Sequence, residues 1–370
     1  MDKKRKLYKI GDLTKLLGMT SRTIRYYHQV GILQHIKRSD GKMRLFDDED
    51  IAIIKKVRKL QVEEGLTLEV IKERLFGTTN DKSDTVILTD STAALPKAMR
   101  DQLNVQVIPI HIQIGEEAFL DGIDIEPKEF WEKSRNLQIR PQTSPPTEKE
   151  FVQTYLALKE KGFKRIYSIH LSSTLSETYK NALNASHKVA HEIEVVAIDS
   201  KSTGAGLGLL VHLIADAVHK GQSKEQIDLL ITKQIPLIFK LVAVNTLEFL
   251  VTGGVIAPLS HNQKNLLKKL FEFKPVISLR NGTGDVEILE CAKDRKDATA
   301  HMVEFLAEEI RSRGGYVKEI CVIYNYMYGE ALALVNQIKE LYPLTPIYIE
   351  EGSAVLSAYV GPETIGIAII

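Results

Sequence analysis

The chain has 370 residues, 44% hydrophobic and 26% charged, enough for two or three domains that each bury a core. No apolar stretch approaches the roughly 20 residues a bilayer-spanning helix needs; the richest, 206–218, is interrupted by His212 and Asp216. The net charge of +1 conceals a basic head on an acidic body, with 18 Lys and Arg against 11 Asp and Glu in residues 1–76 and 31 against 37 in the rest, which points to a polyanionic partner for the head alone.

The charged N-terminus, residues 1–6, has no apolar segment behind it, so a signal peptide is not expected and the cytoplasm is the expected location. Cys291 and Cys321 lack metal-type spacing and read as reduced thiols. In the head, Leu13, Leu16 and Leu17 form an apolar stripe that Gly18-Met19-Thr20 breaks. Ser21 is placed to cap a second helix carrying Ile24 and Tyr27, ended by Gly31. Asp40-Gly41 marks a turn. A third helix has Ile51, Ile54, Val57 and Leu60 on one face and stops at Gly65; Thr67 caps a short fourth with Leu68, Ile71 and Leu75 inward.

Two short helices in tandem make a helix-turn-helix, whose second helix can enter the major groove with its N-terminal side chains toward the bases. That helix begins Ser21-Arg22-Thr23-Ile24-Arg25-Tyr26-Tyr27. Arg22 and Arg25, three apart, share a face; Arg pairs with guanine edges or phosphates and Tyr hydroxyls reach phosphates. The segment 37–44 adds Lys37, Arg38, Lys42 and Arg44 on a small wing. Tyr8-Lys9-Ile10-Gly11, Thr23-Ile24-Arg25-Tyr26-Tyr27, Gly31-Ile32-Leu33, the stretch Gly41 to Phe46 and Asp50-Ile51 stand in the order found in the MerR family, which the head resembles over about residues 7–76. The resemblance implies binding to double-stranded DNA, with Arg22, Tyr26, Tyr27, Arg38 and Arg44 as contacts; the start of the second helix adds Thr23 and Arg25 as candidates. It departs at His28, Met43 and Phe46, and it stops at Phe76-Gly77, before the long dimerising helix such regulators carry. The homodimer that two half-sites require must then be built elsewhere.

Residues 77–83 are small and polar and read as a linker. Beyond them, buried strands are expected at 85–90, 105–112, 165–169, 194–198, 240–244, 319–323, 346–349 and 364–370, with helices between many of them, as at 148–161, 176–189 and 205–219. This alternation argues for an α/β body with a largely parallel sheet. Four polar clusters adjoin these elements: Thr89-Asp90-Ser91-Thr92, Pro141-Gln142-Thr143-Ser144-Pro145-Pro146, the run His170 to Ser176, and Asp199-Ser200-Lys201-Ser202-Thr203-Gly204. In open α/β sheets ligands settle at the carboxyl ends of strands, where hydroxyls and free helix N–H groups suit an anion.

These clusters, with Phe119 to Asp124, Leu247 to Gly254, Lys274-Pro275-Val276-Ile277 and Gly361-Pro362-Glu363-Thr364, resemble the DegV family across about 84–370. The resemblance implies a two-subdomain body, divided near 240–250, that holds one long-chain fatty acid as its ligand; no cofactor or catalytic residue is expected, and the scattered His111, His212, His219 and His261 offer no metal-type spacing. Carried over by motif, Thr143 and Ser176 would hold the carboxylate, with Ser144, Ser173 and Ser91 near it and the Tyr359 hydroxyl as a further donor. Hydrogen bonding is what makes a buried carboxylate affordable. Members that present the fatty acid to a fatty acid kinase carry an Arg where this chain has Val255 and a His where it has Tyr359. Loss of both basic groups favours a lipid sensor over a kinase's carrier subunit. A hydrolase using Ser173 or Ser176 with His170 is disfavoured, because no Gly-x-Ser-x-Gly elbow is present. The expected architecture is therefore an all-α winged helix-turn-helix head (1–76) followed by an α/β two-subdomain body (84–370) whose first subdomain has a largely parallel sheet.

Overall fold

A computed structural model describes residues 7–29, 32–33, 37–38, 44–68, 70–71, 75, 83–137, 140–256, 273–279 and 283–370. The chain divides into two compact units, Met1–Asp81 and Lys82–Ile370.

The head contains α1 (Ile10–Leu17), α2 (Ser21–Gln29) and α3 (Asp48–Glu63), with three short strands, β1 (Tyr8–Lys9), β2 (Lys37–Arg38) and β3 (Arg44–Phe46). The strands form one antiparallel sheet in the order β1-β3-β2, so the helical head carries a small sheet that includes its wing. The helices meet through Leu13, Leu17, Ile24, Tyr27, Ile54 and Val57. Gly18, left-handed at φ 61°, ends α1, a conformation glycine enters without a Cβ penalty. Ser21 is the first helical residue rather than the cap: the Thr20 hydroxyl accepts from the Thr23 N–H at 3.2 Å, the usual service of an N-cap. Thr67 does accept from Val70 N–H. The expected stop at Gly31 and the turn at Asp40-Gly41 lie outside the described residues.

The body is built on two large sheets. In the first, β4 (Thr85–Asp90), β5 (Gln106–Ile108), β9 (Arg165–His170) and β10 (Glu194–Asp199) run parallel in the order β10-β9-β4-β5. The second contains β11 (Phe239–Ala243), β12 (Lys274–Leu279), β13 (Val286–Ala292), β14 (Ile320–Asn325), β15 (Ile347–Glu351) and β16 (Thr364–Ile369). Its order is β13-β12-β11-β16-β14-β15, antiparallel except between β14 and β15. A third, small antiparallel sheet joins β6 (His111–Ile114), β7 (Glu117–Leu120) and β8 (Gln142–Ser144).

The strand expected over 105–112 is thus two strands. Pro109 offers no N–H to a ladder, and the next N–H, that of Ile110, turns to the Ser91 hydroxyl at 3.1 Å. The apolar run near 206–218 is the helix Gly204–His219, buried at every position but the last. It packs on β4 of the first sheet and on β11, β14 and β16 of the second. A helix apolar all round must be covered all round, and this one is the centre of the body.

Candidate functional site

The carboxyl ends of β4, β9 and β10 converge on one polar wall. Asp90, fully buried, organises it: one carboxylate oxygen accepts from Thr92 N–H and Thr92 Oγ1 (3.1 and 2.6 Å), the other from Leu171 N–H at 2.9 Å and faces His170 Nδ1 at 3.2 Å. His170 Nε2 meets Ser168 Oγ at 2.7 Å. Ser, His and Asp thus stand in the connectivity of a hydrolytic triad. However, Ser168 and His170 are both fully buried, and the Ser168 hydroxyl is shared with Tyr155 Oη at 2.9 Å. The histidine proposed for a hydrolase is therefore committed to a sealed network and not to Ser173 or Ser176.

Against this wall lies a cavity of about 260 Å³ whose lining is mostly apolar, including Leu171, Leu250, Val255, Ile277 and Leu279. Thr143 on β8, Ser176 after β9, and Tyr359 on the helix Ala354–Val360 all line it. Thr143 Oγ1 and Tyr359 Oη lie 2.6 Å apart, and Ser176 Oγ lies 2.9 Å from Thr178 Oγ1. Tyr359 is seated by Gly253: a Cβ there would come within 2.6 Å of the tyrosine ring. The helix beneath Tyr359 is held at its start by Asp121, whose carboxylate accepts from Ala354 N–H at 3.1 Å. Burial pushes that carboxyl up to about 6, against the hydrogen bonds that favour its charge.

The other expected ligand residues sit elsewhere. Ser144 is exposed and outside the lining. Ser173, also exposed, receives a bond from Lys201 Nζ at 3.2 Å and its N–H goes to Asp199. The Ser91 hydroxyl serves Ile110 N–H. Several lining residues escaped sequence reasoning, Lys240 among them. Lys240 is only 4% exposed and borders the cavity from β11. Its sole signal was a lysine inside the otherwise apolar run Ile238 to Val244. Burial pushes its ammonium down to about 8, with no charged partner among the described residues to oppose it.

On the head, Arg22 and Arg25 are exposed on α2, Tyr26 is 47% exposed and Thr23 is half-buried, its hydroxyl 2.8 Å from Thr20 Oγ1. Tyr27, expected among the DNA contacts, is instead in the core at 3% exposure, its hydroxyl donating to Gln61 Oε1 at 2.9 Å. Arg38 and Arg44 pair across the wing. No group of metal-ligating side chains gathers among the described residues, and no described helix is long and apolar enough to cross a membrane.

Comparison with known proteins places this geometry. Residues 84–370 match the family profile described as uncharacterised protein, DegV family, and residues 8–76 match that of the MerR HTH family regulatory protein. A DegV domain-containing protein of Halalkalibacterium halodurans is 30% identical over 285 residues, covering 76% of this chain and 96% of its own length. Among solved structures, DegV, a fatty acid binding protein from Bacillus subtilis, aligns with a TM-score of 0.69 at 26% identity, over 78% of this chain and 99% of that one. A fatty-acid-binding DegV family protein from Thermus thermophilus aligns at 0.67 and 27% identity, over 77% and 98%.

Proposed function

Because this chain belongs to the DegV family over residues 84–370 and carries a MerR-type helix-turn-helix at residues 8–76, we propose that it is a cytoplasmic transcriptional regulator. Its head binds double-stranded DNA, and its body senses a long-chain fatty acid or related lipid. The observation that carries the lipid half is the apolar cavity bordered by the Thr143–Tyr359 pair and Ser176. In this reading those hydroxyls hold the carboxylate and the apolar lining takes the chain. On the head, Arg22, Arg25 and Tyr26, with Arg38 and Arg44 of the wing, contact DNA, and the protein acts as a homodimer.

The second reading, a fatty acid carrier for a kinase, is disfavoured by Val255 and Tyr359 where basic residues would expose and polarise the carboxylate. The test begins with denaturing the purified chain, extracting it with organic solvent and identifying the extract by mass spectrometry. A stoichiometric fatty acid supports the sensor. A DNA-shift titration with and without that lipid then reads the coupling. An extract with no lipid, and no uptake of added fatty acids, sinks it.

A further inference from the structure

Lys240 and Thr203 add further polar side chains to the cavity lining. Lys240 lies opposite Ala368 on β16, four residues along from Thr364, roughly 13 Å at strand rise; Thr364 follows the helix that carries Tyr359. Lys240 Nζ reaches the carbonyl of Lys201, just past β10, whereas Thr143 pairs with Ile112 in the small three-stranded sheet. Both groups nevertheless border one cavity.

Among the described residues, the surroundings of Lys240 are short of negative charge: its Nζ has one hydrogen bond, to Lys201 O over 3.4 Å, and no carboxylate influences it. Its stem lies against Gly206, where a Cβ would come within 2.9 Å of the Lys240 methylenes. It therefore sits beside the first turn of the 16-residue central helix. That helix has no side-chain cap, and the Thr203 hydroxyl at its N-cap position is buried with no partner among the described residues. Thr203 also lines the cavity. A helix N-terminus carries positive partial charge, so an ammonium beside it is repelled as well as desolvated. One chemical species relieves all three deficits: an anion that takes the ammonium, the Thr203 hydroxyl and the free N–H groups together.

We propose that Lys240, Thr203 and the start of the central helix form a second anion subsite, and that the ligand is a lipid acidic at both ends, such as a long-chain dicarboxylic acid. The inference rests on the fatty-acid reading of the cavity and refines it. One carboxylate is held by Thr143, Tyr359 and Ser176, the other by Lys240 and Thr203, with the methylene chain between. A simple fatty acid would lay its methyl end against a buried ammonium.

The test compares hexadecanoate with the dioate series from decanedioate to hexadecanedioate by calorimetry on the delipidated full chain, wild type and Lys240→Met. The expected result is that the best dioate binds the wild type at least tenfold tighter than hexadecanoate, and that Lys240→Met reverses the order. Equal wild-type affinities overturn the proposal without any variant being needed. So does a preference that survives Lys240→Met, or a Lys240→Met protein that keeps its fold but loses hexadecanoate, since the lysine would then anchor a single carboxylate. Failure of every acid to bind removes the fatty-acid reading itself, a separate outcome from equal binding.

Discussion

Thr143 and Tyr359 stand 216 positions apart in sequence and 2.6 Å apart in space. Hydrogen bonds to a charged group are worth about 1.5–3 kcal/mol, so Thr143→Val or Tyr359→Phe should each weaken fatty acid binding about 10- to 100-fold, measured by calorimetry, with little change in melting temperature. Thr143 and Ser176 could be picked out because they sit in short local motifs. Lys240 could not, because its meaning lies in being buried with no countercharge among the described residues, which no local pattern encodes. It also leaves a mark on stability. An unfolded lysine holds its proton to about 10.5, whereas Lys240 in the fold releases it near 8. Between those values the unfolded state binds more protons, so ligand-free stability rises with pH. The rise is on the order of 2–4 kcal/mol. Urea denaturation from pH 7 to 10.5 should show that rise in the wild type and lose this component in Lys240→Met, which should be the more stable protein at pH 7.

At the scale of elements, the helix Ala354–Val360 delivers Tyr359, and Asp121 anchors its first N–H. Asp121→Ala removes the acceptor and should cost about 1–3 kcal/mol and weaken lipid binding through a displaced Tyr359. Asp121→Asn keeps an acceptor and sheds a desolvated charge, so it should retain both. Because burial raises this carboxyl to about 6, its contribution runs opposite to that of Lys240: stability declines as pH rises from about 4 to about 6, and Asp121→Asn should flatten that decline. In α2 the burial pattern separates two tyrosines that the sequence presents as a pair. Arg22→Ala with Arg25→Ala should weaken binding to a selected operator and reduce its salt dependence while leaving thermal stability intact. Tyr27→Phe, which breaks the bond to Gln61, should do the reverse, costing about 1 kcal/mol of stability. The helical period separates Tyr26 from Tyr27, but which of them faces inward depends on where the other helices sit. The split of 105–112 into two strands has a similar cause: apolar periodicity marks the stretch as buried, while Pro109 and the Ser91 hydroxyl decide where the ladder stops.

For the whole molecule, the proposal joins a DNA-reading unit to a lipid-holding one. Each contains its own core, so a chain truncated to residues 84–370 should fold and bind fatty acid with unaltered affinity. Coupling between two sites is a shared free energy and is reciprocal. Whatever factor the lipid applies to operator affinity, saturating operator must apply to lipid affinity. Paired titrations on the full chain, lipid with and without operator and operator with and without lipid, should return the same factor. Unequal factors would show that the two measurements do not report one linked equilibrium.

The sequence by itself determined the two-part organisation and the α/β character of the body. Periodicity, turn residues and short motifs are local, and a chain folding by local rules expresses them wherever they occur. Tertiary structure alone decided that the helix expected at 205–219 is packed by both large sheets. It also withdrew Tyr27 from the DNA face, closed His170 inside a buried network, and set Lys240 beside the bare N-terminus of the central helix. Those outcomes depend on burial and on partners distant in the chain, and the free energy of a polar group is set by what surrounds it once the chain has closed.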